Sequence, residues 1–132
     1  MTFRYLIDTD WIIHYLNGHP NIVSRLNTLR DEGCAVSVVS LAELYEGVYN
    51  SSNPAGNERA LNDFLHGVTV LGIDDETCKI FGRHRGRLRA AGKMPGDFDL
   101  LIGSTGLRHG LKVLTNNRRH FTLIDGLLIE SL

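Results

Sequence analysis

Phe3-Arg-Tyr-Leu-Ile-Asp-Thr-Asp10 is an apolar and aromatic run, broken only by Arg4, that leads into two carboxylates. Residues 3–7 have the length and composition of a buried strand. Asp8 therefore stands at the strand's carboxyl end, where ligands gather in parallel α/β sheets. Thr9 or Asp10 can cap a following helix that carries Trp11, Ile12, Ile13, Tyr15 and Leu16 and stops at Asn17-Gly18 before Pro20. A second helix is expected over residues 21–30. The strand-and-helix unit then recurs. Cys34-Ala-Val-Ser-Val-Val39 predicts another buried strand, and Ser40 caps a helix with Leu41, Leu44, Tyr45 and Val48 on one face and Glu43 opposite them.

Downstream the alternation continues. Asn50-Ser-Ser-Asn-Pro-Ala-Gly56 reads as a loop, residues 58–65 as a helix and residues 68–73 as a third strand. Asp74-Asp-Glu76 places acids at the start of a helix whose stripe is Phe81, His84, Leu88 and Ala91, and Gly92-Lys-Met-Pro-Gly96 ends it. The next helix runs from Asp97 through Leu107 and is apolar or small all round, which places it in the centre of the domain. Residues 112–115 suit a fourth strand, 116–121 a turn or short helix, and 127–129 an edge strand. This order predicts an α/β fold: a three-layer α/β/α arrangement with a central parallel sheet of four to five strands, in one domain over residues 1–132. Asp8 and Thr115 end two strands, and Glu43 and Asp99 fall in the first turns of helices. All four can converge on one edge.

The chain has 132 residues, 42% of them hydrophobic, enough for one core and too few for two ordinary domains. No apolar stretch approaches the ~20 residues needed to cross a bilayer, and Asp8 interrupts the N-terminus before a secretory apolar region develops. A cytoplasmic protein without a membrane partner is expected. Cys34 and Cys78 are too few for a thiolate zinc site and are expected to be reduced core residues. The net charge of -1 conceals an asymmetry. Residues 1–76 hold four basic and eleven acidic residues, a net -7, whereas residues 79–119 hold ten basic residues against Asp97 and Asp99, a net +8. Such a split suits an anionic metal cleft beside a cationic groove for a phosphodiester backbone. The alternative is neutralisation between the halves.

A divalent ion that neutralises a phosphate and lowers the pKa of water makes phosphodiester hydrolysis feasible. Magnesium takes one or two carboxylates directly and keeps several waters, so scattered acids suffice. Asp8, Glu43 and Asp99 meet that need. Asp8 follows an apolar run, where an unpaired carboxylate is costly, although a plain helix cap also explains it. Glu43 lies where any solvated glutamate would lie. Asp99 opens an apolar helix and shares a face with Gly103 and Gly106, whose missing side chains leave room beside it. Arg83 and Arg87, and Arg85 and Arg89, are spaced i,i+4, with Lys93 beyond and Arg118-Arg119 near the proposed site. Arginine suits phosphate, and a solvated helix face explains the same pattern. His84 reads as a packed histidine. Neither serine–histidine nor cysteine–histidine catalysis has support.

The segments Tyr5-Leu-Ile-Asp-Thr-Asp10, Ser40-Leu-Ala-Glu-Leu-Tyr-Glu-Gly47, Asp99-Leu-Leu-Ile-Gly-Ser-Thr-Gly106 and Leu114-Thr-Asn-Asn117 with Phe121 resemble, in order, the motifs of PIN-domain ribonucleases of the VapC toxin type. The resemblance spans nearly the whole chain. It implies that Asp8, Glu43 and Asp99 are the metal-binding acids, with Thr115 and Asn117 as polar support. The implied activity is an endoribonuclease using Mg2+, for which Mn2+ can substitute, with tRNA as the family-level substrate. It further implies a homodimer held inactive by a cognate VapB-like antitoxin. Many relatives carry a fourth acid at the position of Asn117 or just before the phenylalanine, where this chain has Asn117 and His120. Asp97 is an unassigned acid with two readings: it compensates for the missing acid, or it only caps the helix. Two rivals remain: a haloacid-dehalogenase-type phosphatase, for which Leu6-Ile-Asp-Thr-Asp10 supplies Asp-x-Asp, and a PIN-like module that binds RNA or protein without cutting.

Overall fold

The computed structural model describes residues 2–132. The five strands β1 (Tyr5–Ile7), β2 (Cys34–Ser37), β3 (Thr69–Leu71), β4 (Lys112–Leu114) and β5 (Ile129–Glu130) form one sheet in the order β3-β2-β1-β4-β5. Every neighbouring pair is parallel. The helices are α1 (Thr9–Leu16), α2 (Pro20–Leu29), α3 (Val38–Tyr49), α4 (Pro54–Leu65), α5 (Asp75–Ala90), α6 (Asp97–His109) and α7 (Arg118–Phe121).

Alternation along the strands builds two cores. Ile7, Val36 and Leu114 face Trp11, Leu26, Leu44 and Leu61 on the layer of α1 to α4. Their sequence neighbours Leu6, Ala35 and Val113 face Leu88, Leu100 and Phe121 on the layer of α5 to α7. Both faces of the sheet are thus covered, as parallel strands require, and the three-layer architecture follows. The chain goes from β1 to β2 and β3 on one side, then returns to β4 on the other. The strand order therefore reverses between β1 and β4, and such a switch point opens a crevice at the strands' carboxyl ends. The Asp8 N–H donates to the Leu114 carbonyl at 3.0 Å, which closes the two strand ends against each other.

Several local expectations are corrected. Asp8 itself caps α1, accepting from the Thr9 N–H, so neither Thr9 nor Asp10 does. The valine-rich run after Cys34 is strand only to Ser37. The Ser37 hydroxyl accepts from the Val39 N–H at 3.1 Å, so the helix starts at Val38 and Ser40 lies inside it. Glu43 consequently falls in the second turn of α3, not the first. The helix α4 begins at Pro54, within the expected loop, because Asn53 caps it through the Gly56 N–H. The third strand is shorter than expected.

Gly103 and Gly106 do not leave room beside Asp99. A Cβ at Gly103 would strike Ile124, and one at Gly106 would come within 2.9 Å of Val113. These glycines let the C-terminal segment and β4 pack closely on α6. The burial of α6 holds at Leu100 and from Ile102 to Gly106, is partial at Leu101 and fails at Phe98, which is exposed. Cys34 is buried as expected, whereas Cys78 is exposed on α5.

Candidate active site

The carboxyl end of β1 delivers Asp8, which is 3% exposed. Its Oδ1 accepts from the Thr9 N–H at 2.8 Å and its Oδ2 from the Thr115 hydroxyl at 2.7 Å. Thr115 follows β4 directly, and its hydroxyl also accepts from the Asn117 N–H at 3.0 Å. One buried threonine thus locks the carboxylate at one strand end to the loop that leaves the other. Asn117 passes the chain of contacts on. Its Nδ2 donates to Asp99 Oδ2 at 2.8 Å, and His120 Nδ1 faces the same oxygen at 2.6 Å. Glu43 Oε1 accepts from the Thr9 hydroxyl at 2.7 Å, so the residue beside Asp8 also positions the glutamate. Glu43 and Asp99 line an open cleft of about 390 Å³ together with Gly96, Asp97 and Phe98.

The acids sense one another. Burial pushes the Asp8 carboxyl up to about 7, with the charges of Asp10 and Asp99 adding to it, against the hydrogen bonds from Thr115 and Thr9. Burial also raises Glu43, with Asp99 and then Glu46 contributing. Asp10 is raised mainly by burial, and its Oδ1 is enclosed without a hydrogen-bond partner. Among the described residues, no lysine or arginine forms an ion pair with Asp8, Glu43 or Asp99. Like charges brought together in a poorly solvated place call for a cation. The donors are hard oxygens, as magnesium or manganese prefers. No three acids, histidines or cysteines among the described residues stand close enough to enclose a bare ion.

The remaining candidates divide. Asp97 lines the cleft but pairs with Arg85 Nε at 3.0 Å, so it is partly neutralised. Arg87 pairs with Asp125 at 3.5 Å and lies 3.1 Å from His84 Nδ1, and Arg118 reaches the Ser131 hydroxyl. Arg83, Arg89 and Arg119 form no ion pair among the described residues and remain able to meet phosphate. The charge asymmetry is therefore only partly cancelled within the chain. Two contributors, Thr9 as a partner of Glu43 and Asn116, were not singled out by sequence, and His120 was noted without a role. The Thr9 hydroxyl and the His120 ring act through contacts across the fold. Asn116 accepts from Trp11 Nε1 at 2.9 Å while its N–H donates to Asp10 Oδ2 at 2.9 Å. The adjacent Asn116-Asn117 pair after a strand was the only signal.

Comparison with known proteins gives the family of the chain. A family model for the PIN domain matches residues 5–127. The chain is 32% identical to Ribonuclease VapC2 of Haemophilus influenzae, over 97% of each chain. It is 29% identical to the tRNA(fMet)-specific endonuclease VapC of Shigella flexneri, over 96% of each. Among solved structures, VapBC2 from Rickettsia felis bound to a DNA fragment from their promoter superposes with a TM-score of 0.92 at 28% identity, covering 98% of this chain and 99% of that one.

Proposed function

Since the chain belongs to the PIN domain family and to the VapC ribonucleases within it, we propose that it cuts tRNA by metal-assisted hydrolysis in the cytosol. In this reading Asp8, Asp99 and Glu43 hold Mg2+, or Mn2+ in its place. The observation that carries it is the gathering of these acids at the β1–β4 switch point with neutral hydrogen-bond donors and, among the described residues, no basic ion-pair partner other than His120. When bound, the divalent ion supplies charge neutralisation at the phosphate and a lowered pKa for water.

The protein's own part is positioning. Thr115 aims Asp8 Oδ2, Thr9 aims Glu43, and Asn117 aims Asp99, each through a hydrogen bond of 2.8 Å or less. Outer hydrogen bonds of this kind fix ligand orientation before the ion arrives. Arg83, Arg89 and Arg119, with Arg85, Arg87 and Arg118 where their partners release them, are the side chains that would meet the RNA backbone. The aspartyl-phosphate alternative is weakened because the family model and the relatives that match this chain are PIN-domain ribonucleases. A VapB-like antitoxin partner is supported by the likeness to the VapBC structures; its neutralising role and the toxin homodimer rest on the resemblance to VapC toxins. No helix among the described residues is long and apolar enough to cross a membrane.

Cleavage mapping on total cellular RNA tests the reading. Discrete cuts that require magnesium or manganese and vanish in Asp8→Asn are expected. Cuts that persist in chelator would overturn the metal reading, and RNA bound but never cut would turn the protein into a binding module.

A further inference from the structure

We propose that Phe98 is a stacking platform for a nucleobase next to the scissile phosphate, so that the cleft grips single-stranded RNA by a ring face as well as by charge. This rests on the ribonuclease reading above. Phe98 lies in the first turn of α6, between Asp97 and Asp99, and lines the same cleft as Glu43 and Gly96. It is 56% exposed, whereas Leu100 and Ile102 on the same helix are almost fully buried. An aromatic ring left in water within a catalytic cleft gives up the burial that α6 provides to its other apolar residues.

The surroundings explain what such a ring would do. The other side chains of this cleft are the carboxylates of Glu43, Asp97 and Asp99, which repel an incoming phosphate. Stacking on a base needs no charge and tolerates any sequence, because every base has a π face. Arg85 reaches Asp97 from α5 at 3.0 Å, so the basic face of α5 comes within one residue of the ring. A base seated on Phe98 would therefore carry its backbone between the arginines and the acids. Single-stranded loops, whose bases can splay out, are the RNA elements able to present one. The other aromatic near the site offers no free face: Trp11 is wholly buried.

The test uses the full-length protein and an RNA hairpin with an unpaired loop that the protein cuts. Phe98→Ala is expected to raise KM roughly tenfold with little change in kcat, in line with the cost of losing one base–aromatic stack. Phe98→Trp restores KM. In an Asp8→Asn background, which keeps the RNA intact, the indole of Phe98→Trp is quenched as the hairpin is added, while buried Trp11 provides the constant background. Abasic substitution at one loop position should abolish both the quench and the effect of Phe98→Ala. Unchanged KM in Phe98→Ala, or an indole indifferent to RNA, would overturn the proposal. So would a change in oligomeric state at constant KM, which would make Phe98 a protein contact. Failure of the unsubstituted protein to cut any RNA would instead defeat the ribonuclease reading and this inference with it.

Discussion

The β1–α1 and β3–α5 junctions use the same capping chemistry and arrive at opposite ends of the carboxylate range. Asp8 and Asp74 each cap a helix, each accept a backbone N–H at 2.8 Å and each accept a threonine hydroxyl at 2.7 Å. Yet burial, reinforced by Asp10 and Asp99, lifts Asp8 to about 7. Hydrogen bonds from Thr77, and then Arg108, hold exposed Asp74 down at about 2. The number and type of donors are alike, but Thr77 supplies both of Asp74's to one oxygen from within its own helix, whereas Thr9 and Thr115 divide Asp8's two oxygens between the helix and a second strand end. The surroundings differ too: Asp74 has an arginine 3.0 Å away, and Asp8 has only neutral donors and other acids. The first is complete as folded, while the second keeps a buried carboxyl that the proposed divalent ion would neutralise.

The largest break in this comparison is expected from Asp8→Asn. RNA cleavage should fall by more than about 100-fold, beyond the usual cost of disturbing an outer-shell partner. In chelator the same variant should melt no lower than the parent at neutral pH, because a buried charge has been removed. The pH dependence has a defined sign. A carboxyl raised from 3.8 to about 7 binds protons more tightly folded than unfolded, so it makes metal-free stability fall as pH rises between those values. Asp8→Asn should flatten that slope. Asp74, lowered from 3.8 to about 2, contributes stability above the unfolded value that is lost as pH falls through about 2. Thermal melts in chelator across both windows would check the two slopes.

Thr115→Val comes next. It deletes the hydroxyl that holds Asp8 and receives the Asn117 N–H, and should lower metal affinity and cleavage roughly 10–100-fold. Calorimetric titration with manganese measures it, and parent-like affinity would mean that Asp8 needs no positioning. Asn117→Asp places an acid against Asp99 and removes the 2.8 Å bond between them. Metal-free stability should drop by roughly 1.5–3 kcal/mol, the scale of a hydrogen bond to a charged group. Manganese binding should tighten at the same time. Equal stability and equal affinity would show that Asn117 does not point into the site. The smallest effect is expected from Asp74→Ala: a Tm lowered by a few degrees and cleavage left intact.

The sheet and the order of the three acids were legible because strands buried on both faces show as short apolar runs and place their ends predictably. The limits of α3 were not legible because Val36, Val38 and Val39 are β-branched and favour a strand, until the cap at Ser37 intervenes. Gly103 and Gly106 read as space beside Asp99, whereas Ile124, Leu127 and Val113 occupy what their missing side chains vacate. The roles of Thr9, Asn116 and His120 depend on partners far away in sequence, such as Trp11 for Asn116. No local pattern encodes them.

Arg25 on α2 forks across Glu130 on β5, with contacts of 2.7 and 3.0 Å, and the carbonyl of Glu130 receives the Thr115 N–H at 3.0 Å. The two-residue edge strand that steadies the end of β4 is thus fastened in part by a partly exposed ion pair, which added salt screens. Salt also weakens RNA binding by counterion release, and the slope of that loss is the usual measure of how many phosphates a protein touches. In this molecule the slope would contain both effects. A count of phosphate contacts taken from activity alone would come out too high. Repeating the titration with Arg25→Leu and Glu130→Leu combined removes the ion-pair part and leaves the contribution of the RNA.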